Sequence, residues 1–104
     1  MTLYHATVAE NIEGIEANGL LPFQTEAAQR IFEGPGVWCF AALSDATSFA
    51  ASNWTPYDDV VIYAIEADGL AMIADPEYAE GVAYIITEEI PADRLTVAWD
   101  NLGE

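Results

Sequence analysis

The chain of 104 residues carries 18 Asp and Glu against two Arg and no Lys, a formal net charge of −16, while 53% of it is hydrophobic. That length suits a single domain over residues 1–104, and the apolar fraction is enough to offset chain entropy, so the acidity does not imply disorder. A field of this sign repels phosphates, which speaks against direct binding to nucleic acid or to an anionic membrane.

Cysteine and histidine usage narrows the classes further. Cys39 is the single cysteine, which excludes an internal disulfide and any zinc site built from several thiolates; in an apolar strand it reads as a small buried hydrophobe rather than a nucleophile. One histidine and no Asp-x-Asp-x-Asp-Gly loop leave no expectation of a metal. Residues 1–5 show no basic region followed by an apolar signal stretch, and no run of about 18 apolar residues occurs, so a soluble, cytoplasmic protein is expected.

In chain order, Leu3, His5 and Thr7 fall on one face of a first strand and Tyr4 and Ala6 on the other. Thr7-Val8-Ala9-Glu10 matches a capping box, Ile12 and Ile15 supply an apolar stripe, and Gly19 follows Asn18 where a helix would end. The first helix is predicted over 8–18. A second, short helix is predicted over 25–32, before Gly34-Pro35-Gly36. Val37-Trp38-Cys39-Phe40 is strand-like, and Ser44 is placed to cap a helix through Asn53 that turns Ala46, Phe49, Ala50 and Trp54 inward.

Residues 60–67 form the most apolar run and suit a central strand; Asp68-Gly69 is a turn. Strands follow over 70–74, 82–86 and 95–99, separated by Asp75-Pro76-Glu77 and by a loop or helical turn at Pro91 and Asp93. The class is α+β with two to three short helices.

Three segments, in this order, resemble the ADP-ribosyltransferase superfamily, including its small transferase-like members and tRNA 2′-phosphotransferase. Leu3-Tyr4-His5-Ala6-Thr7 leading into a helix that ends in Gly19-Leu20 is similar to the family's opening strand with His-x-Thr. Gly36-Val37-Trp38-Cys39-Phe40 and the helix after it resemble a Gly-Val-Tyr-Phe strand. Gly81 to Ile86 followed by Ile90-Pro91-Ala92-Asp93-Arg94-Leu95 resembles the closing strand and its Ile-Pro exit. The resemblance implies a split, bent, mainly antiparallel sheet enclosing a dinucleotide cleft.

It further implies that His5, assisted by Thr7, would hydrogen-bond a ribose of NAD, and that Trp38 would stack on nicotinamide. Each has a plainer reading: a core histidine, a helix cap and a core tryptophan. The family's catalytic glutamate has Glu80 as its nearest counterpart, although Ala83 lies closer to the expected position. The phosphotransferase branch relies on several arginines, and this chain has only Arg30 and Arg94. NAD would need its pyrophosphate held by backbone N–H groups or helix N-termini, against the net charge.

The acidity itself suggests a partner. Glu10, Glu13 and Glu16 recur at helical spacing, Asp58-Asp59 precede the central strand and Glu88-Glu89 precede Ile90, and such rows of carboxylates either form a solvated face or imitate successive phosphates. In size and charge the chain resembles small acidic inhibitors of phages and mobile elements, including anti-CRISPR proteins. Three expectations follow: a nucleic-acid mimic on a transferase-like scaffold that binds a basic nucleic-acid-handling protein and uses no cofactor; an active NAD-dependent ADP-ribosyltransferase; or an acidic domain of a salt-adapted organism.

Overall fold

The computed structural model describes residues 1–20, 36–54 and 58–101. They form one six-stranded sheet in the order β4-β5-β2-β1-β3-β6, with every neighbouring pair antiparallel. The strands are β1 (Thr2–Val8), β2 (Val37–Phe40), β3 (Val60–Glu66), β4 (Met72–Ala74), β5 (Ala83–Ile86) and β6 (Leu95–Asp100). Two helices, α1 (Ile12–Asn18) and α2 (Leu43–Asn53), follow β1 and β2. The helix expected over 25–32 lies outside the described residues.

Strict two-residue alternation sorts the sheet's side chains into two cores. Leu3, Val37, Cys39, Val61, Ile65 and Ile86 pack beneath α1 with Ile15, Leu20 and Ile90. Ala6, Phe40, Val60, Ile62 and Ala83 pack beneath α2 with Ala46 and Ala50. On the α2 side an aromatic chain continues the packing: Phe40 meets Phe49 at 5.5 Å and Tyr78 edge-on at 5.4 Å, and Phe49 meets Trp54 at 6.0 Å. Each fully buried Ile or Leu contributes about 1.5–3 kcal/mol by leaving water, so burial on both faces sustains the fold.

The sheet is nearly divided at its middle. β1 and β3 share seven register pairs from Thr2↔Glu66 to Val8↔Val60, whereas β1 and β2 share Tyr4↔Phe40 alone. One half is therefore β4-β5-β2 and the other β1-β3-β6, joined at a narrow seam.

Both predicted helix caps are corrected. Thr7 stays within β1, where its Oγ accepts from the Nδ2 of Asn11 at 2.9 Å, and Ala9–Asn11 forms a 3-10 turn before α1, so no capping box is made. Ser44 lies inside α2, whose N-cap is Ala42, with no side-chain capping bond. Gly19 does end α1, with φ of 75° and its N–H bonded to the Ile15 carbonyl at 2.7 Å. A Cβ there would stand 2.0 Å from the Ile90 carbonyl oxygen, so glycine is what admits the Leu20↔Ile90 bridge.

Candidate functional site

His5 sits at the seam. Its ring is 7% exposed, and its Nδ1 lies 2.6 Å from the Trp38 carbonyl oxygen. A carbonyl only accepts, so Nδ1 carries the proton and Nε2 is left as an acceptor. Burial lowers the imidazole's pKa below its ordinary value of 6.5, with the Trp38 bond partly opposing, so the ring is neutral at pH 7. The chemistry this permits is acceptance of a hydrogen bond from a hydroxyl or amide.

Around His5, on the α1 face, the sheet places Tyr63 directly opposite on β3, with Cys39 on β2 and Tyr84, the register partner of Cys39, on β5. The Cys39 thiol is 1% exposed, donates to the Val37 carbonyl at 3.4 Å, and is pushed far up in pKa by burial, so it is a packing residue. Tyr63 is 4% exposed and its hydroxyl has no hydrogen-bond partner among the described residues. Burial raises its pKa, and the nearby Glu16 carboxylate raises it further. Tyr63 was not singled out in the sequence, because only the β1–β3 register reveals that it faces His5.

The other residues implied for a cofactor site are distributed differently. Thr7 shares the α1 face with His5 and is buried. Trp38 shares the opposite face with Phe40 and Ala6, since paired and alternate residues fix the side on which it emerges. Gly36 makes room there: a Cβ at Gly36 would approach the Trp38 ring to 3.3 Å and the Ile85 side chain to 2.4 Å. His5 and Trp38 thus meet through the Trp38 backbone, while their side chains leave opposite faces. Glu80 is exposed in the turn before β5.

The acidic residues group by the ends of the strands. The registers bring Val8, Val37, Val60, Met72, Ile86 and Asp100 to one end of the sheet, and Thr2, Phe40, Glu66, Ala74, Ala83 and Leu95 to the other. At the Val8 end stand Glu10, Asp58, Asp59, Glu88 and Glu89, with α1 starting there and carrying Glu13 and Glu16 exposed along its outer side. Val8, Ala9, Glu10, Asp58 and Asp59 line a concavity of about 250 Å³. The Ala9 N–H donates to the Asp59 carbonyl at 2.9 Å and the Asn101 side-chain Nδ2 to the Asp58 carbonyl at 2.9 Å, so one backbone and one side-chain bond hold these segments together. Glu88 accepts from the Ala71 N–H at 2.7 Å.

At the Thr2 end the described cations gather. The Met1 ammonium pairs with the Asp68 carboxylate, and the Arg94 guanidinium donates to the Glu66 and Asp68 carbonyls at 3.1 and 2.6 Å. Asp45, Glu66, Asp75, Glu77, Glu80 and Asp93 share this end.

Among the described residues, no group of three or more His, Cys, Asp or Glu is arranged to hold a metal, and no helix is long and apolar enough to cross a membrane. No protein-family model matches the chain, and no curated protein matches it.

Proposed function

We propose that this protein is a small acidic interaction protein that occupies the nucleic-acid site of a basic nucleic-acid-handling protein, in the manner of an anti-defence inhibitor. The observation that carries this reading is the gathering of Glu10, Asp58, Asp59, Glu88 and Glu89 at one end of a rigid sheet, while the described cations, Met1 and Arg94, stand at the other. Glu10 follows β1, Asp58 and Asp59 precede β3, and Glu88 and Glu89 follow β5, so these carboxylates share the end of the sheet that a groove built for phosphates would meet. Pull-down from a cell extract is expected to recover a nucleic-acid-handling protein whose binding weakens steeply with salt and is competed by DNA or RNA. Retention of binding in excess nucleic acid removes the mimicry reading.

A second reading, NAD-dependent ADP-ribosyl transfer on a transferase-like scaffold, is supported by one observation: a neutral, buried His5 whose Nε2 accepts, which suits a ribose hydroxyl. Glu80 is its proposed catalytic carboxylate, with Thr7 and Trp38 as cofactor contacts. Incubation with labelled NAD and candidate protein or nucleic-acid targets is expected to give transfer or hydrolysis that Glu80→Gln abolishes, and no turnover with no NAD binding overturns it. A third reading, salt adaptation without mimicry, predicts stability that collapses at low salt and recovers only at molar salt.

A further inference from the structure

We infer that the outer edge of β6 is a docking edge for an extended segment of a basic partner, one that alternates apolar residues with Lys or Arg. This is an additional contact, separate from the carboxylate row at the Val8 end.

Among the described residues, β6 closes the sheet's order and pairs with β3 on one side only. A strand edge offers a row of backbone N–H and C=O groups to any incoming strand, and proteins blunt such edges by making them short, by bulging them, or by placing Pro, Lys or inward charges on them. The opposite edge follows that rule: β4 is three residues long and runs directly into Asp75-Pro76. β6 carries a bulge but none of the other devices, with six residues, Leu-Thr-Val-Ala-Trp-Asp, no proline, and no charge before Asp100. Val97 and Trp99 are 49% and 40% exposed.

A register irregularity shapes this edge. Tyr63 pairs with Val97 while its neighbour Ile62 pairs with Trp99, so Ala98 is an extra residue on β6. Two residues apart in a regular strand, Val97 and Trp99 would share a face; the bulge leaves Val97 on the α1 face and turns Trp99 to the α2 face. An added strand would therefore find an apolar side chain on each side of the sheet, while its backbone completed the ladder.

Charge selects the occupant. Asp93 and Asp100 flank the edge and Glu66 lies on the neighbouring strand, while Arg94, directly before β6, is engaged with the Glu66 and Asp68 carbonyls. Asn101, the residue after β6, ties its end to Asp58. A second copy of this chain would bring another −16 to the same place, whereas Lys or Arg on an incoming strand would be attracted to it.

The probe is a blocked eight-residue peptide of alternating Val and Lys, compared with its Glu-for-Lys counterpart and with one carrying a central Pro. Amide exchange across residues 95–100, Trp99 fluorescence and sedimentation are read together. The expected result is slowed exchange over β6 with the Val-Lys peptide alone, weakened at least tenfold by Val97→Lys. Trp99→Thr, which keeps a β-forming residue in place, is the second variant should Val97→Lys fail to fold, and at least fivefold weaker binding is expected. Unchanged β6 exchange, equal binding of the Glu peptide, or equal binding by the edge variants overturns the proposal. Peptide-free dimerisation that protects β6 overturns it too, by assigning the edge to a second copy. Peptide binding at β6 in a protein whose natural partner is not displaced by nucleic acid upholds this proposal and removes the mimicry reading.

Discussion

The two ends of the sheet carry similar numbers of carboxylates and use them differently. At the Thr2 end, two acidic residues are drawn into local structure: Asp68 holds the Met1 ammonium, and the buried Asp75 accepts from the Glu77 N–H at 2.9 Å to shape the turn after β4. The two described cations stand there as well. At the Val8 end, Glu10, Asp59, Glu88 and Glu89 are exposed, and the concavity between Val8 and Asp59 has acidic walls. Net charge alone would treat both ends as one field. The structure separates an end where the described cations stand beside Asp68 from an end with no described cation.

The largest expected effect tests that separation directly. Glu10→Gln, Asp59→Asn and Glu89→Gln combined are expected to weaken binding to the recovered partner about tenfold at low salt, mainly through a slower association rate, because outward-facing charges steer encounter. Removing three charges from the Thr2 end, with Glu77→Gln, Glu80→Gln and Asp93→Asn, is expected to change it less than about twofold. Stopped-flow association across a salt series reads both. Equal losses would mean that only total charge matters and that the ends are equivalent.

Between the ends lies the belt of His5 and Tyr63, and its pH response differs in sign from that of the carboxylates. The folded-state pKa of His5 is lowered, so below about pH 6.5 the unfolded chain takes up a proton that the folded protein resists. The stability this group supplies is present above pH 6.5 and is lost as pH falls below it. Asn at position 5 can keep a donor toward the Trp38 carbonyl without titrating. Denaturant unfolding at pH 7.5, 6.5 and 5.5 is therefore expected to show a steeper acid-side loss for the native chain than for His5→Asn. Carboxylate protonation is common to both and cancels in the difference; parallel profiles would contradict a neutral buried imidazole.

Much of the scaffold is legible in the sequence, and the limits have physical causes. Strands announce themselves through two-residue alternation, as in Leu3-Tyr4-His5-Ala6-Thr7, and turns through Asp68-Gly69 and Asp75-Pro76. The helix starts are misread because a capping motif states which bond a hydroxyl can make, not which it makes: Thr7 remains in the strand and meets Asn11 instead. Pairing registers are a property of tertiary structure. They alone place Tyr63 opposite His5, set Trp38 on the far face and open the seam between β1 and β2. The carboxylates could be counted from the sequence, but their division between two ends could not.

A smaller effect concerns the belt's unsatisfied group. The Tyr63 hydroxyl is buried without a partner among the described residues, so Tyr63→Phe is expected to leave stability unchanged or raise it by up to about 1 kcal/mol, since a desolvated polar atom is removed and the ring is kept. Chemical denaturation measures this. A clear loss of stability would show that the hydroxyl is bonded in solution and that the belt is better satisfied than its geometry implies.

The smallest expected effect lies at the Thr2 end itself. The hydrogen bond and charge of the Met1 ammonium, with Arg94 assisting, hold the Asp68 carboxyl below its ordinary pKa of 3.8. Its contribution is thus present above that pH and fades as pH falls through the folded value. Because the pair is exposed, salt screens it and the contribution is small. Asp68→Asn is expected to lower the melting temperature slightly at pH 7 and low salt, with the difference vanishing at high salt and below pH 3.8. The direction matters more than the size. In a chain of net charge −16, deleting one carboxylate would ordinarily relieve repulsion and raise stability, so a lower melting temperature would identify Asp68 as one of the few acids whose local cations outweigh the global field. A higher one would mean that repulsion governs both ends alike, and the distinction between an end with local cations and an end with no described cation would be lost.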